Sequence, residues 1–160
     1  MKKRVLVVVD LQNQYLDRID NRIADNVISY VRELLQLQKY DLIVNVSYGD
    51  YFGRTTHKGI KEILKTLHNV VNVSKEQNDG SHEIKQAIYA KGLDINNCKL
   101  EIVGVNTDAC VRDTVEGLFY NTRTAKLAVH RQGTATNNGM HYRDWALFDI
   151  MQESFYVEII

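Results

Sequence analysis

The sequence predicts an α/β domain of three layers, with helices on both faces of a mainly parallel, six-stranded, Rossmann-like sheet. Two observations predict this class. Short apolar runs rich in Val and Ile recur along the chain, several of them nearly continuous rather than alternating, as in strands buried on both faces of a parallel sheet. Between the runs lie segments whose apolar residues step by three and four, the period of a helix with one buried face.

The runs are VLVVV (5–9), LIVNV (42–46), VVNV (70–73), LEIVGV (100–105), AKLAV (125–129) and FYVEII (155–160). The first connection carries Ile19, Ile23, Val27, Val31 and Leu34 on one stripe, and the second a shorter stripe of Ile60, Ile63, Leu64 and Leu67. Ile84 and Ile88 mark a third helix, Val111, Val115, Leu118 and Phe119 a fourth, and Trp145, Phe148 and Met151 a fifth. A strand–helix alternation of this kind requires right-handed crossovers.

With 160 residues and 44% hydrophobic residues, the chain suits one domain spanning 1–160, with a core that needs no disulfide or metal. No internal repeat or linker divides it. Proline is absent, so turns rest on Gly, Asn and Asp, as in NDG (78–80) and NNG (137–139). Twenty basic residues face twenty acidic ones without a long run of either sign, which argues against a nucleic-acid or membrane partner. The run after MKKR is too short for a signal peptide, and two cysteines without a CxxC spacing are no disulfide framework. A cytoplasmic location is expected.

In open α/β sheets, ligands bind beyond the carboxyl ends of the strands, so the residues there come first. Asp10 ends the first run, as an acid/base carboxylate or as a cap. Lys75 ends the third, where lysine seldom sits without a partner. The fourth leads into NTDACV, in which Thr107 or Asp108 can cap a helix and Cys110 falls in its first turn. There the helix dipole is expected to lower the thiol pKa. Cys110 also lies beside the stripe of 111, 115, 118 and 119, not within it, whereas Cys98 begins a strand and reads as structural. A thiol with a neighbouring base is the arrangement for acyl transfer through a thioester.

These segments resemble the isochorismatase-like cysteine hydrolases, the family of nicotinamidases and carbamoyl-amide hydrolases. VVVDLQNQY is similar to the family's first-strand motif, VSKEQNDG to its lysine segment and GVNTDACVRDT to its nucleophile motif. The resemblance runs along nearly the whole chain and implies a sheet order of 3-2-1-4-5-6. It also implies a catalytic triad of Asp10, Lys75 and Cys110 in an amidohydrolase cleaving a small-molecule C–N amide bond. The backbone amides of Asn106 and Cys110 would form the oxyanion hole, with a cis peptide bond between Val105 and Asn106. Tyr15 matches an aromatic position near the family's substrate, and Tyr51 and Phe52 are candidates to line the same pocket.

Nicotinamidases of the family carry Asp-x-His after the second strand and a further histidine, which bind a divalent metal. Here SYGDYFGRTTHKG supplies Asp50, but Phe52 stands at the histidine position, and His57 is the remaining candidate. One carboxylate with one imidazole is poor zinc ligation. The expectation is therefore that no cofactor is required, with a zinc-like divalent metal on Asp50 and His57 as the alternative. Isochorismatases proper tend to lack the cysteine, so Cys110 points to amide chemistry. A homo-oligomer is expected from the resemblance. The rival reading is a non-catalytic member that binds a metabolite or serves assembly.

Overall fold

The computed structural model describes residues 2–160 except Tyr51, Arg123, Thr124 and 137–140, and gives no side-chain detail for 141–146. The elements run β1 (Lys3–Val9), α1 (Asn13–Leu16), α2 (Asn21–Gln36), β2 (Leu42–Tyr48), α3 (Lys58–Leu64) and β3 (Val70–Lys75). Then follow α4 (Ser81–Ala90), β4 (Cys98–Val105), α5 (Arg112–Asn121), β5 (Lys126–Ala135), α6 (His141–Phe155) and β6 (Glu158–Ile159). The six strands form one parallel sheet in the order β3-β2-β1-β4-β5-β6. Among the described residues, no helix is long and apolar enough to cross a membrane.

Each face of the sheet carries its own core. Val5, Val7 and Val9 point to the side covered by α4, α5 and α6, where Ile84, Ile88, Val115, Leu118 and Met151 pack on them. Leu6 and Val8 point to the side of α1, α2 and α3, against Val31, Leu35 and Ile60. Residues 5–9 are all fully buried, which is why the first run is continuous rather than alternating. The predicted stripe of α2 is buried at Val27, Val31 and Leu34, while Ile19 is buried ahead of the helix, whose N-cap is Asp20.

The chain builds β1, β2 and β3 outward on one side, then crosses to place β4 on the other side of β1. The carboxyl ends of β1 and β4 thus flank the switch point, the crevice where such sheets bind ligands. The two strands approach closely there, with Val9 opposite Gly104. Gly104 has φ +148°, and a Cβ on it would stand 2.1 Å from the Val9 carbonyl oxygen, so no other residue fits.

Two elements differ from expectation. β5 continues past residue 129 to Ala135, because a register shift after Ile102 lets Thr134 and Ala135 pair with Gly104 and Val105. The polar letters HRQGT hide that extension from any apolar count. The last strand is only Glu158–Ile159, since α6 runs on to Phe155 and Tyr156 turns with φ +50°. Trp145, read as part of the last stripe, has its side chain outside the described residues, whereas Phe148 and Met151 are buried as expected.

One buried charge ties the layers together below the crevice. Glu101, in β4, is 1% exposed. Its Oε1 accepts from Arg4 Nε at 3.1 Å and Nη2 at 2.6 Å, and its Oε2 accepts from Tyr40 Oη at 2.9 Å. His130 Nε2 lies 3.0 Å from Oε2, and Tyr30 Oη lies 2.9 Å from the other nitrogen of that ring. Burial alone would raise the carboxyl pKa, but the bonds from His130, Arg4 and Tyr40 outweigh it and hold it at about 2. A folded-state value below the unfolded one means stability present above pH 4.5 and lost as pH falls through 2. Denaturant unfolding from pH 7 to pH 2 should therefore show about 3 kcal/mol of this stabilisation disappearing in that window. In Glu101→Gln, whose neutral side chain cannot titrate, that acid-side slope should be absent, and a slope equal to wild type would refute the assignment.

Candidate active site

β1 ends at Val9, and Asp10 follows in a left-handed conformation with φ +51°. β4 ends at Val105, and Asn106 follows with φ +62°. Left-handed backbone is uncommon outside glycine, and two such residues on neighbouring strand ends mark the crevice as a place of stored strain. Asp10 is fixed by its amide, which donates to the Val46 carbonyl of β2 at 2.9 Å.

Lys75 ends β3, two strands from Asp10, and its register partner on β2 is Tyr48. Its side chain crosses over the end of β2 instead of entering solvent, and its stem passes Gly80, whose absent Cβ leaves the room. The Nζ arrives 3.0 Å from Asp10 Oδ2, with both side chains fully buried. The same ammonium donates to the Asn78 carbonyl oxygen. No well-aligned hydrogen bond reaches either Asp10 carboxylate oxygen; the Lys75 ammonium, the Cys110 thiol and the Tyr48 backbone are the groups beside it.

Cys110 lies in a π-helical turn, Thr107–Val111, that leads into α5. Asn106 itself is the N-cap, and its carbonyl accepts from the amides of Ala109 and Val111 at 3.0 and 3.1 Å. No side chain caps the turn, so the expected capping by Thr107 or Asp108 gives way to this backbone arrangement. The peptide bond before Asn106 is trans, as no cis bond occurs among the described residues; the left-handed Asn106 makes the bend instead. Cys110 is 5% exposed and belongs to the core cluster with Val111, Val115 and Leu118, not beside it as its helical register suggests, because the turn is packed against the sheet. Its thiol donates to Asn78 Oδ1 at 3.7 Å.

The electrostatics differ from the expected low-pKa thiol. Burial and the adjoining Asp10 carboxylate push the Cys110 thiol up to about 11, and Lys75 pulls only partly the other way. Burial likewise raises the Asp10 carboxyl above the usual range, against the pull of Lys75 and of the Cys110 thiol. The helix end loses because the turn is buried and an anion stands beside the thiol. The resting pair is thus a protonated thiol next to a carboxylate more basic than an ordinary one.

Of the three, Cys110 lines a cleft of about 560 Å³, together with Asn106 and the half-buried Tyr15, whereas the fully buried Asp10 and Lys75 are not part of its lining. It is also lined by Gln14, Arg18, Tyr48 and Asn78, none of which the sequence singled out, and by Asp108, expected only as a helix cap. Asn78 lies in NDG, which reads as a turn, and Gln14 on the short α1 and Arg18 in the turn after it are exposed and carry no motif. The signal for them is position alone: Tyr48 ends β2, and Asn78 and Asp108 each follow a strand end by three residues.

Other expected residues fall elsewhere. Phe52 does not line the cleft; it is 69% exposed beneath the Arg54 guanidinium, 4.8 Å from its ring centre, because the loop after β2 turns it outward. Tyr51 lies outside the described residues. Asp50 closes its own loop, with Oδ1 accepting from the Phe52 amide and Oδ2 from the Thr55 amide and hydroxyl. His57 is the N-cap of α3, its Nδ1 accepting from the Gly59 amide. Both are spent on local bonds, and no group of three His, Cys, Asp or Glu able to hold a metal gathers among the described residues. The pair does not fit a metal ion. His130, an alternative partner for the thiol, is instead bonded to Glu101 and Tyr30; the His141 side chain is outside the described residues.

No protein-family model matches the chain, and no curated protein matches it in sequence. Solved structures do. The nicotinamidase of Staphylococcus aureus superposes with a TM-score of 0.74 at 21% identity, over 100% of both chains. N-carbamoylsarcosine amidase from Thermoplasma acidophilum gives 0.72 at 18% identity, over 98% of this chain and 95% of that one. The pyrazinamidase/nicotinamidase of Streptococcus mutans gives 0.77 at 14% identity, over 99% and 100%. Together with the parallel sheet in the order 3-2-1-4-5-6, these matches establish that the chain has the fold of these nicotinamidases and of N-carbamoylsarcosine amidase.

Proposed function

We propose that the chain is a cysteine amidohydrolase that cleaves the C–N bond of a small amide through a thioester, with Cys110 as nucleophile, Asp10 as acid/base and Lys75 as their electrostatic support. The observation that carries this reading is the fully buried Lys75–Asp10 pair, 3.0 Å apart, whose two members both act on the Cys110 thiol. A buried lysine and aspartate are costly to a fold, and groups placed so at a ligand crevice are candidates for chemistry. The amidase names of the structural neighbours support the same reaction class.

The steps follow from the positions. Asp10 takes the proton of the Cys110 thiol as the sulfur attacks the amide carbon, so the unfavourable thiolate forms only as it is consumed. Charge then develops on the carbonyl oxygen, where the backbone amides of Asn106 and Cys110 are the donors in this reading. Collapse breaks the C–N bond while Asp10 returns its proton to the leaving nitrogen. Water, deprotonated by Asp10, then hydrolyses the thioester and frees the acid. Lys75 holds Asp10 in place. No step uses a metal ion.

Ammonia release from a panel of small amides, nicotinamide and pyrazinamide among them, tests the reaction. Cys110→Ala should lower kcat by roughly 10⁴-fold or more with the fold retained, and Asp10→Asn by roughly a thousandfold. Chelator treatment should leave wild-type activity unchanged. Retained turnover in Cys110→Ala ends the proposal, and absence of turnover on every amide favours the metabolite-binding alternative.

The acid/base assignment has its own readout in thiol titration. Asp10 raises the thiol pKa and Lys75 lowers it, so Asp10→Asn should shift iodoacetamide labelling of Cys110 to lower pH, and Lys75→Met to higher pH. Wild-type Cys110 should label appreciably only as pH approaches about 11. An unchanged labelling profile in Asp10→Asn would mean that the two groups do not interact.

A further inference from the structure

Gln12, two residues after Asp10, is 1% exposed, and its carboxamide is spent in full on the end of β2 and the loop behind it. Its Oε1 accepts from the Tyr48 amide at 2.8 Å, and its Nε2 donates to the Tyr48 carbonyl at 3.2 Å and to Thr55 Oγ1 at 2.6 Å. β1 stops pairing with β2 at Val46, which accepts from the Asp10 amide. Beyond that point the Gln12 side chain does for Tyr48 what a neighbouring main chain does elsewhere in the sheet. The loop has further ties of its own: Asp50 Oδ2 accepts from the Thr55 amide and hydroxyl, and main-chain bonds run from Asn13 to Thr55 and from His57 to Leu11.

The bond with chemical consequences is the one to the Tyr48 amide, because the same N–H lies beside the Asp10 carboxylate. Burial raises the Asp10 carboxyl, and Lys75, the Cys110 thiol and the Tyr48 amide pull it back, the amide least. No well-aligned hydrogen bond reaches either Asp10 oxygen. Two acceptors therefore stand before one backbone donor, and Gln12 holds it. A carboxylate that accepts a backbone N–H has its charged form stabilised and becomes a weaker base. Lys75 already stabilises that charge at 3.0 Å. A further donor would reduce the affinity for a proton on which deprotonation of the thiol depends.

We propose that Gln12 is a positioning residue for the acid/base step: by holding the Tyr48 amide it denies Asp10 a backbone hydrogen bond and leaves the carboxylate free to take the proton of Cys110. The inference rests on the amidohydrolase reading above and adds a residue that acts through Asp10. Gln12 is not among the residues that line the cleft, and it moves no proton itself. It decides which acceptor the Tyr48 N–H uses.

NMR titration of the Asp10 carboxyl tests this without turnover, and the pH profile of kcat/KM tests it in the reaction. In Gln12→Met, which keeps the bulk but has no oxygen acceptor, the Tyr48 amide should turn to Asp10. The Asp10 carboxyl should then titrate about one pH unit or more below wild type, the size expected of one hydrogen bond to a charged group. The acid limb of kcat/KM should move down equally, and kcat on the plateau should fall because a weaker base takes the thiol proton less readily. Thr55→Val removes the contact of Gln12 with the loop but keeps its bond to the Tyr48 amide, so titration and acid limb should stay at their wild-type positions. An unchanged Asp10 titration in folded Gln12→Met, or an equal displacement in Thr55→Val, overturns the proposal. Should Gln12→Met not fold, wild type decides through scalar coupling across the hydrogen bond. Coupling from the Tyr48 amide nitrogen to the Gln12 side-chain carbonyl carbon is expected, and coupling to the Asp10 carboxyl carbon instead overturns the proposal. Wild type inactive on every amide, with these titrations as expected, removes the amidohydrolase reading and leaves the control of Asp10 by Gln12 standing.

Discussion

The site depends on a lysine that does not reach water. Lys75 lies two strands away from Asp10, and its side chain crosses the end of β2 to meet the carboxylate at 3.0 Å. Such a pair is stable only if its surroundings satisfy what the two charges lose on burial. The ammonium receives a second acceptor from the Asn78 carbonyl, and Gly80 leaves the space its stem needs. Those requirements fix the loop after β3, the loop fixes the floor of the cleft, and α5 is fastened to the same loop through Thr114. The cost of burying one ion pair thus dictates the arrangement of three elements.

A second buried carboxylate shows the contrasting use of the same physics. Glu101 is saturated, with Arg4, Tyr40 and His130 on its two oxygens, and its carboxyl is held low. Asp10 is left unsaturated, with its carboxyl raised by burial. Full satisfaction makes a carboxylate inert and structural, whereas an incompletely satisfied one remains able to accept a proton. Two carboxylates on adjacent strands of one sheet are separated in role by their bonding partners rather than by their depth.

Much of this arrangement is legible in the chain. Continuous apolar runs such as VLVVV mark strands buried on both faces, and the steps of Val27, Val31 and Leu34 mark a buried helix face. Asp10, Lys75 and Cys110 stand out because charged or reactive residues directly after such runs must lie at a sheet edge. What escapes is whatever depends on a partner distant in sequence. The extension of β5 is set by pairing with Gly104 and Val105 across a register shift, and polar letters conceal it. Asp50 and His57 resemble ligands in composition, yet each is consumed by an amide within a few residues. Phe52, adjacent in sequence to the cleft region, faces outward because the loop turns it away.

The sequence by itself determined the class of fold and the residues at the strand ends, since these follow from local period and from where apolar runs stop; Cys110, placed beside the core stripe by its register, is in fact buried within the core cluster. The tertiary structure decided what those residues are chemically. Only the folded crevice brings Asp10 beside the thiol and so raises its pKa, where the helix position alone argues for lowering it. Only the folded loop turns Asn78 from a turn residue into the thiol's neighbour. Burial and long-range charge set these properties, and neither is encoded in the spacing of residues along the chain.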